Sequence, residues 1–189
     1  MNTPHKPVPG LAPASLSQAQ ALGLAERLGA ALQRRGLVMG TAESCTGGLL
    51  AGAATAVAGS SNWFERGFVT YSNAAKVAEL DVSADTLDRF GAVSEETALE
   101  MANGVLLASP DVHIAASTTG IAGPGGATPG KPVGMVCFGF AIRGADGITS
   151  RADTQVFAGD RTQVRQGAVV YALRGLLELI GEPVNRSRP

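Results

Sequence analysis

Ser44 and Cys45 are the side chains best placed to act as nucleophiles, because they lie where an apolar run gives way to a pair of glycines. Leu37, Val38 and Met39 read as a buried strand. Residues 41–48, TAESCTGG, read as the turn that follows, and residues 49–54, LLAGAA, can continue as a helix. A sharp strand-to-helix turn gathers backbone amides that lack intrahelical partners, at the positive end of a helix dipole. Such amides suit an anion, whether a phosphate or the oxyanion of an acyl-transfer intermediate. A serine in that place also needs a base.

Histidine is the usual base, and the chain has two. His5 falls in a proline-rich arm, and His113 falls in an apolar run where a structural imidazole is the favoured reading. No Gly-x-Ser-x-Gly elbow surrounds Ser44, so a Ser-His-Asp triad fits poorly. A lysine can replace histidine if burial keeps it partly neutral. Lys76 follows the apolar run 67–71 and the cap-like pair Ser72 and Asn73. That is the place where an α/β sheet gathers its active site. From spacing alone, a solvated surface lysine remains the favoured reading of Lys76. Tyr71 stands five residues before Lys76, not the four of a dehydrogenase pair, and no Gly-x-Gly-x-x-Gly opens the chain. Cys45 is an alternative nucleophile if its thiol is activated, or else a small buried apolar residue. Residues 125–131 match the first part of a Walker A loop, but Pro132 stands where Ser or Thr would bind Mg²⁺, and a strand-like run follows. Two cysteines and one histidine outside the arm cannot supply a usual metal-ligand set.

The elements that must position these groups alternate. A first helix begins near Ser15 or Ser17, buries Leu24, Leu28 and Leu32, and stops at Arg34, Arg35 and Gly36. Short helical pieces lead to Gly91, and Ser94 caps a helix whose stripe is Ala98, Met101, Ala102 and Val105. Residues 112–119 form a strand, and a glycine-rich loop, 120–130, follows. Residues 133–142 are so apolar that both faces of that strand should be covered. A turn at 144–147 leads to a strand at 149–157, and Asp160 caps the last helix. The pattern predicts an α/β fold, a three-layer α/β/α sandwich on a mixed sheet of about five strands. Residues 1–14 read as a disordered arm, 15–182 as one domain and 183–189 as a flexible tail. The 189 residues carry a net charge of −1 without a basic run, so nucleic acid is not an expected partner. No stretch reads as a signal peptide or membrane span, and two cysteines make no disulfide framework, which together predict a cytoplasmic protein. Alanine-rich helix faces can support a self-interface, and a dimer or higher homo-oligomer is expected.

Five strings in fixed order carry a resemblance that sharpens this reading. They are TAESCTGG (41–48), GSSNWFERGFVTYSNAAK (59–76), GAVSE (91–95), GIAGPGG (120–126) and KPVG (131–134). Together they resemble the CinA C-terminal domain family, over about residues 17–180. The resemblance implies deamidation of nicotinamide mononucleotide by a Ser/Lys mechanism, with no cofactor and no metal. It implies that Ser44 is the nucleophile, Lys76 the general base, and Tyr71 an aid to proton transfer or to orienting the lysine. It also implies an oxyanion hole at the amides of Cys45 and Thr46. Glu43, Gly47, Gly48, Thr119, Gly120, Gly123 and Gly125 would line the substrate pocket. Thr119 departs from the serine that the family pattern expects. Arg161 and Arg165 are candidates for the substrate phosphate, or for surface ion pairs. A pyridine-nucleotide-binding module without turnover, and an amidase for a related nucleotide, stay open as alternatives.

Overall fold

A computed structural model describes residues 16–184. The proposed arm at 1–14, the Ser15 cap and most of the proposed tail lie outside the described residues. The elements run α1 (Leu16–Arg35), β1 (Met39–Glu43), α2 (Leu49–Thr55), a 3₁₀ turn (Ser60–Asn62), β2 (Phe64–Val69), α3 (Asn73–Leu80) and α4 (Ala84–Phe90). They continue as α5 (Glu95–Ala108), β3 (Ile114–Gly120), β4 (Met135–Gly144), β5 (Gly147–Val156) and α6 (Arg161–Leu179). The five strands form one sheet in the order β2-β1-β3-β4-β5. β1 is parallel to both β2 and β3, whereas β4 and β5 close the sheet as an antiparallel hairpin.

Alternation along the strands divides the core in two. Ile114 and Ala116 of β3, with Val136, Phe138 and Phe140 of β4, face α1, α2 and α6. Ala115 and Ala141 point the other way, onto a second cluster with Leu80 of α3, Leu87 of α4 and Met101, Ala102 and Val105 of α5. This is the mixed-sheet sandwich that the sequence predicts. Residues 136–141 are buried without interruption, as a strand covered on both faces requires. Helix α5 approaches the sheet so closely that a Cβ on Gly139 would lie 2.1 Å from the carbonyl oxygen of Ala98.

β3, β4 and β5 lie within two residues of their sequence reading, and the other two strands differ more. β1 starts at Met39 and runs through Glu43, instead of ending at Met39. Its Gly40, Thr41 and Glu43 look like turn residues, yet all five strand positions are buried between two parallel neighbours. Gly40 is small because a Cβ there would meet Val105 of α5 at 2.7 Å. β2 covers 64–69, so Tyr71 lies beyond the strand end.

The topology places the chemistry. β1, β2 and β3 point the same way, and their carboxyl ends meet at one edge of the sheet. α2 leaves β1 toward the α1/α6 layer, while α3 leaves β2 toward the α5 layer. Ser44 and Lys76 follow the ends of these adjacent strands, at the crevice such a divergence opens.

Candidate active site

The turn after β1 is built by satisfying its backbone groups one at a time. Ser44 donates its amide to Thr118 O (2.9 Å), Gly47 to Ser44 O (3.1 Å) and Leu49 to Thr46 O (3.3 Å). Glu43, fully buried, takes most of the others. Its Oε2 accepts from the amides of Gly48 (2.9 Å) and Leu50 (3.0 Å), and its Oε1 from that of Ala51 (2.8 Å). Oε2 also accepts the Thr46 hydroxyl at 2.7 Å. Thr46 Oγ1 thereby spends its proton, so the Thr118 hydroxyl donates to it, at 2.7 Å. This corrects two expectations. The first amides of α2 are not free for a ligand, because the anion at that helix start is the chain's own carboxylate. Glu43 does not face an open pocket; it caps the helix and fixes the turn.

Among the described residues, the amides of Cys45 and Thr46 are the ones in 44–51 that donate to no carbonyl or carboxylate. Both residues are buried beside Ser44, which is 9% exposed. Their carbonyls turn the other way, toward Arg165, whose Nε donates to Cys45 O (3.1 Å) and whose Nη2 donates to Thr46 O (2.8 Å). Gly47 takes φ 58° in this turn, and a Cβ there would press to 3.4 Å from that Nη2. The left-handed backbone favours glycine here, and the 3.4 Å approach by itself is ordinary contact.

Lys76 enters from the other side. Ser72 caps α3 by accepting from the Ala75 amide, which sets the first helical turn and directs Lys76 inward. Its Nζ lies 2.8 Å from Thr70 O, 3.4 Å from Tyr71 O and 3.3 Å from Ser44 Oγ. The residue is 1% exposed, and no carboxylate pairs with it among the described residues. Burial therefore holds the amine below its ordinary pKa of 10.5. The solvated-lysine reading is overturned by this burial. Cys45 moves the opposite way: desolvation pushes its thiol up to about 12, so it is no thiolate nucleophile at neutral pH.

The remaining candidates separate into two sets. Tyr71 is 60% exposed; its carbonyl faces Lys76, while its hydroxyl accepts from Arg161 Nη2 at 3.1 Å. Arg161 Nη1 donates to Gly123 O (2.9 Å) and so joins the glycine-rich loop to Tyr71. Gly48 borders the turn, Gly120 ends β3 and Gly125 lies exposed in the loop. Thr119 is 1% exposed and donates to Ala92 O at 2.6 Å, so its hydroxyl ties β3 to the start of α5. His113 lies at the opposite end of the sheet, where its Nδ1 accepts from the Val38 amide. Lys131 donates to Phe90 O, and a strand follows its loop, which removes the Walker A reading. Among the described residues no three of His, Cys, Asp and Glu gather as a metal site. No described helix is long and apolar enough to cross a membrane. Sequence reasoning missed Thr70 and Thr118. Thr70 reaches Lys76 through its backbone carbonyl, which any residue type would supply, so no sequence signal marked it.

Comparison with known proteins gives this geometry a lineage. The family model described as the CinA C-terminal domain matches residues 21–180. The chain is 49% identical over 161 residues to the nicotinamide-nucleotide amidohydrolase PncC of Escherichia coli (strain K12), covering 85% of this chain and 95% of that one. It is 54% identical over 154 residues to the protein of the same name from Enterobacter agglomerans, covering 82% and 92%. A solved structure, the competence/damage inducible protein CihA from Agrobacterium tumefaciens, superimposes with a TM-score of 0.80 at 44% identity, covering 88% of this chain and 99% of that one. On this agreement of sequence, fold and coverage, the chain belongs to the CinA C-terminal domain family.

Proposed function

We propose that this chain is a nicotinamide-nucleotide amidohydrolase that converts nicotinamide mononucleotide and water to nicotinate mononucleotide and ammonia, through Ser44 and Lys76. The observation that carries the mechanism is the buried Lys76 amine, 3.3 Å from the Ser44 hydroxyl and, among the described residues, without a carboxylate partner. The substrate class follows the names of the amidohydrolase relatives. A neutral amine has two N–H bonds and one lone pair. With the N–H bonds directed to the carbonyls of Thr70 and Tyr71, the lone pair is left to accept the Ser44 proton. Ser44 Oγ then attacks the carboxamide carbon, and the amides of Cys45 and Thr46 stabilise the oxyanion. The Lys76 ammonium returns its proton to the departing ammonia, leaving an ester on Ser44. Water, deprotonated by the same amine, cleaves that ester and restores both groups. The balance closes without a cofactor.

In this reading Tyr71 orients the lysine through its backbone. Its hydroxyl and Arg161, which also holds Gly123 O, are the groups assigned to the nucleotide phosphate, with Gly120 and Gly125 of the same loop segment as backbone contacts. Residues 15–182 act as one catalytic domain. The two free, buried cysteines support a cytoplasmic setting. Exposed apolar Leu49, Val69 and Tyr71 support a homo-oligomer, which light scattering would check.

The test is ammonia release from the mononucleotide. Ser44→Ala and Lys76→Met should each lower kcat by at least about 10⁴-fold while circular dichroism stays unchanged. Full turnover in either folded variant would remove the mechanism. Testing the riboside, free nicotinamide and the dinucleotide alongside distinguishes an amidase for a related nucleotide. A binding module without turnover would bind but release no ammonia, and binding alone gives no reason to bury a lysine amine beside a serine.

A further inference from the structure

The guanidinium of Arg165 is half-buried against the back of the Ser44 turn, and the two carbonyls it grips belong to Cys45 and Thr46. A trans peptide points its carbonyl and its amide in opposite directions, and the cis bond among the described residues is at Gly123-Pro124, not here. Holding Cys45 O toward Arg165 therefore aims the Thr46 amide away from it. Holding Thr46 O does the same to the Gly47 amide, which lands on Ser44 O at 3.1 Å. That contact in turn fixes the plane carrying the Cys45 amide. From the opposite side, Glu43 gathers the amides of Gly48, Leu50 and Ala51 and so anchors the far end of the turn.

We propose that Arg165 is a positioning residue: by gripping the carbonyls of Cys45 and Thr46, it orients the two amides that receive the substrate oxyanion, and it does not bind the substrate phosphate. The inference rests on the reading of Ser44 as the nucleophile. A planar, forked cation suits the task, since two donors at a fixed spacing meet two successive carbonyls. The ammonium of a lysine presents a single point and cannot hold both in the same way. The same occupancy withdraws Arg165 from the surface. Its Nε and one Nη are already committed to the turn, whereas Arg161 sits at the rim, on the exposed hydroxyl of Tyr71.

The experiment measures ammonia release from nicotinamide mononucleotide by the full chain, with Arg165→Lys and Arg165→Met beside the wild type. Loss of one oxyanion donor lowers kcat about 10²–10³-fold, so both variants should fall by about 10²-fold in kcat with KM within about threefold. Added guanidinium should restore part of the Arg165→Met rate. Covalent labelling of Ser44 by a sulfonyl fluoride should slow in parallel, a readout that does not depend on the identity of the amide substrate. Arg165→Lys keeps length and charge, and it decides the matter should Arg165→Met fail to fold. A raised KM with kcat preserved, together with lost preference for the mononucleotide over the riboside, would assign Arg165 to the phosphate and overturn the proposal. Wild-type rates in folded Arg165→Lys would overturn it as well. Wild-type protein that releases no ammonia but labels at Ser44 would count against the substrate reading alone. Wild type that does neither would remove both.

Discussion

At the scale of the residue, Lys76 is placed at a cost in stability. Burial disfavours the charged amine, so its pKa in the folded protein lies below the 10.5 of the unfolded chain. Below the folded value both states bind the proton, and the folded state carries the full penalty of a desolvated charge. Between the two values the unfolded chain binds more proton, so this contribution turns more favourable as pH rises, and the penalty vanishes above about pH 10.5. Lys76→Met should thus stabilise the protein near pH 7 by about 1 kcal/mol, roughly 2–4 °C in Tm for a chain of this size. The gain should shrink as pH approaches 10. Thermal unfolding at a series of pH values checks this, and a variant less stable than wild type at pH 7 would contradict it. Activity should follow the same group with the other emphasis. The proposed mechanism uses the neutral amine, so kcat/KM should rise with pH through a midpoint below 10.5. A flat profile from pH 6 to 10 would exclude Lys76 as the base.

At the scale of the element, helix α2 is the part of the site that sequence patterns describe least well. It has seven residues, starts after two glycines, and has no side-chain cap at Gly48. Its N-terminal amides are satisfied by Glu43, which belongs to the preceding strand. A strand residue thus does the work of an N-cap, and it does so fully buried, where an ionised carboxylate needs every one of its hydrogen bonds. Glu43→Gln replaces one acceptor oxygen by an NH₂ group that must face an amide donor. The expected loss is about 2 kcal/mol, read by urea unfolding at neutral pH, with kcat reduced because the Ser44 turn loses its anchor. A neutral effect on both would show that the carboxylate is dispensable. By contrast, the start of α6 was legible. Asp160 and Gln163 form a reciprocal capping box, with Asp160 Oδ1 accepting the Gln163 amide (2.9 Å) and Gln163 Oε1 accepting the Asp160 amide (2.8 Å). That helix has to be well fixed at this end, because Arg161 and Arg165 in its first turns reach the glycine loop and the Ser44 turn.

At the scale of the whole molecule, the site depends on two layers held against one sheet. On one side, Phe138 is fully buried, parallel to Phe140 at 6.3 Å between centroids and 4.6 Å from the ring of Tyr171 on α6. This packing sets the height of α6 above the sheet, and with it the reach of Arg165. Phe138→Ala should cost about 3–5 kcal/mol, measured by chemical denaturation, and should lower activity even below the temperature at which it unfolds. Full activity in a variant destabilised by that amount would mean that the position of α6 does not matter to the turn.

The sequence by itself determined the element order, the buried stripes of α1 and α5, the hairpin of β4 and β5 and the strand-to-helix turn that carries Ser44. These rest on local periods and on turn chemistry, which are written in neighbouring residues. It misjudged β1, because Gly40, Thr41 and Glu43 carry turn-like side chains in a central strand whose neighbours come from residues 64–69 and 114–118. It left Lys76 open between solvent and active site, and gave Glu43 and Thr119 to the pocket. Burial, the approach of Nζ to Oγ across adjacent strand ends, and the grip of Arg165 on a turn 119 and 120 residues away are non-local. A residue's environment is set by the segments folded onto it, and only the tertiary structure decides which segments those are.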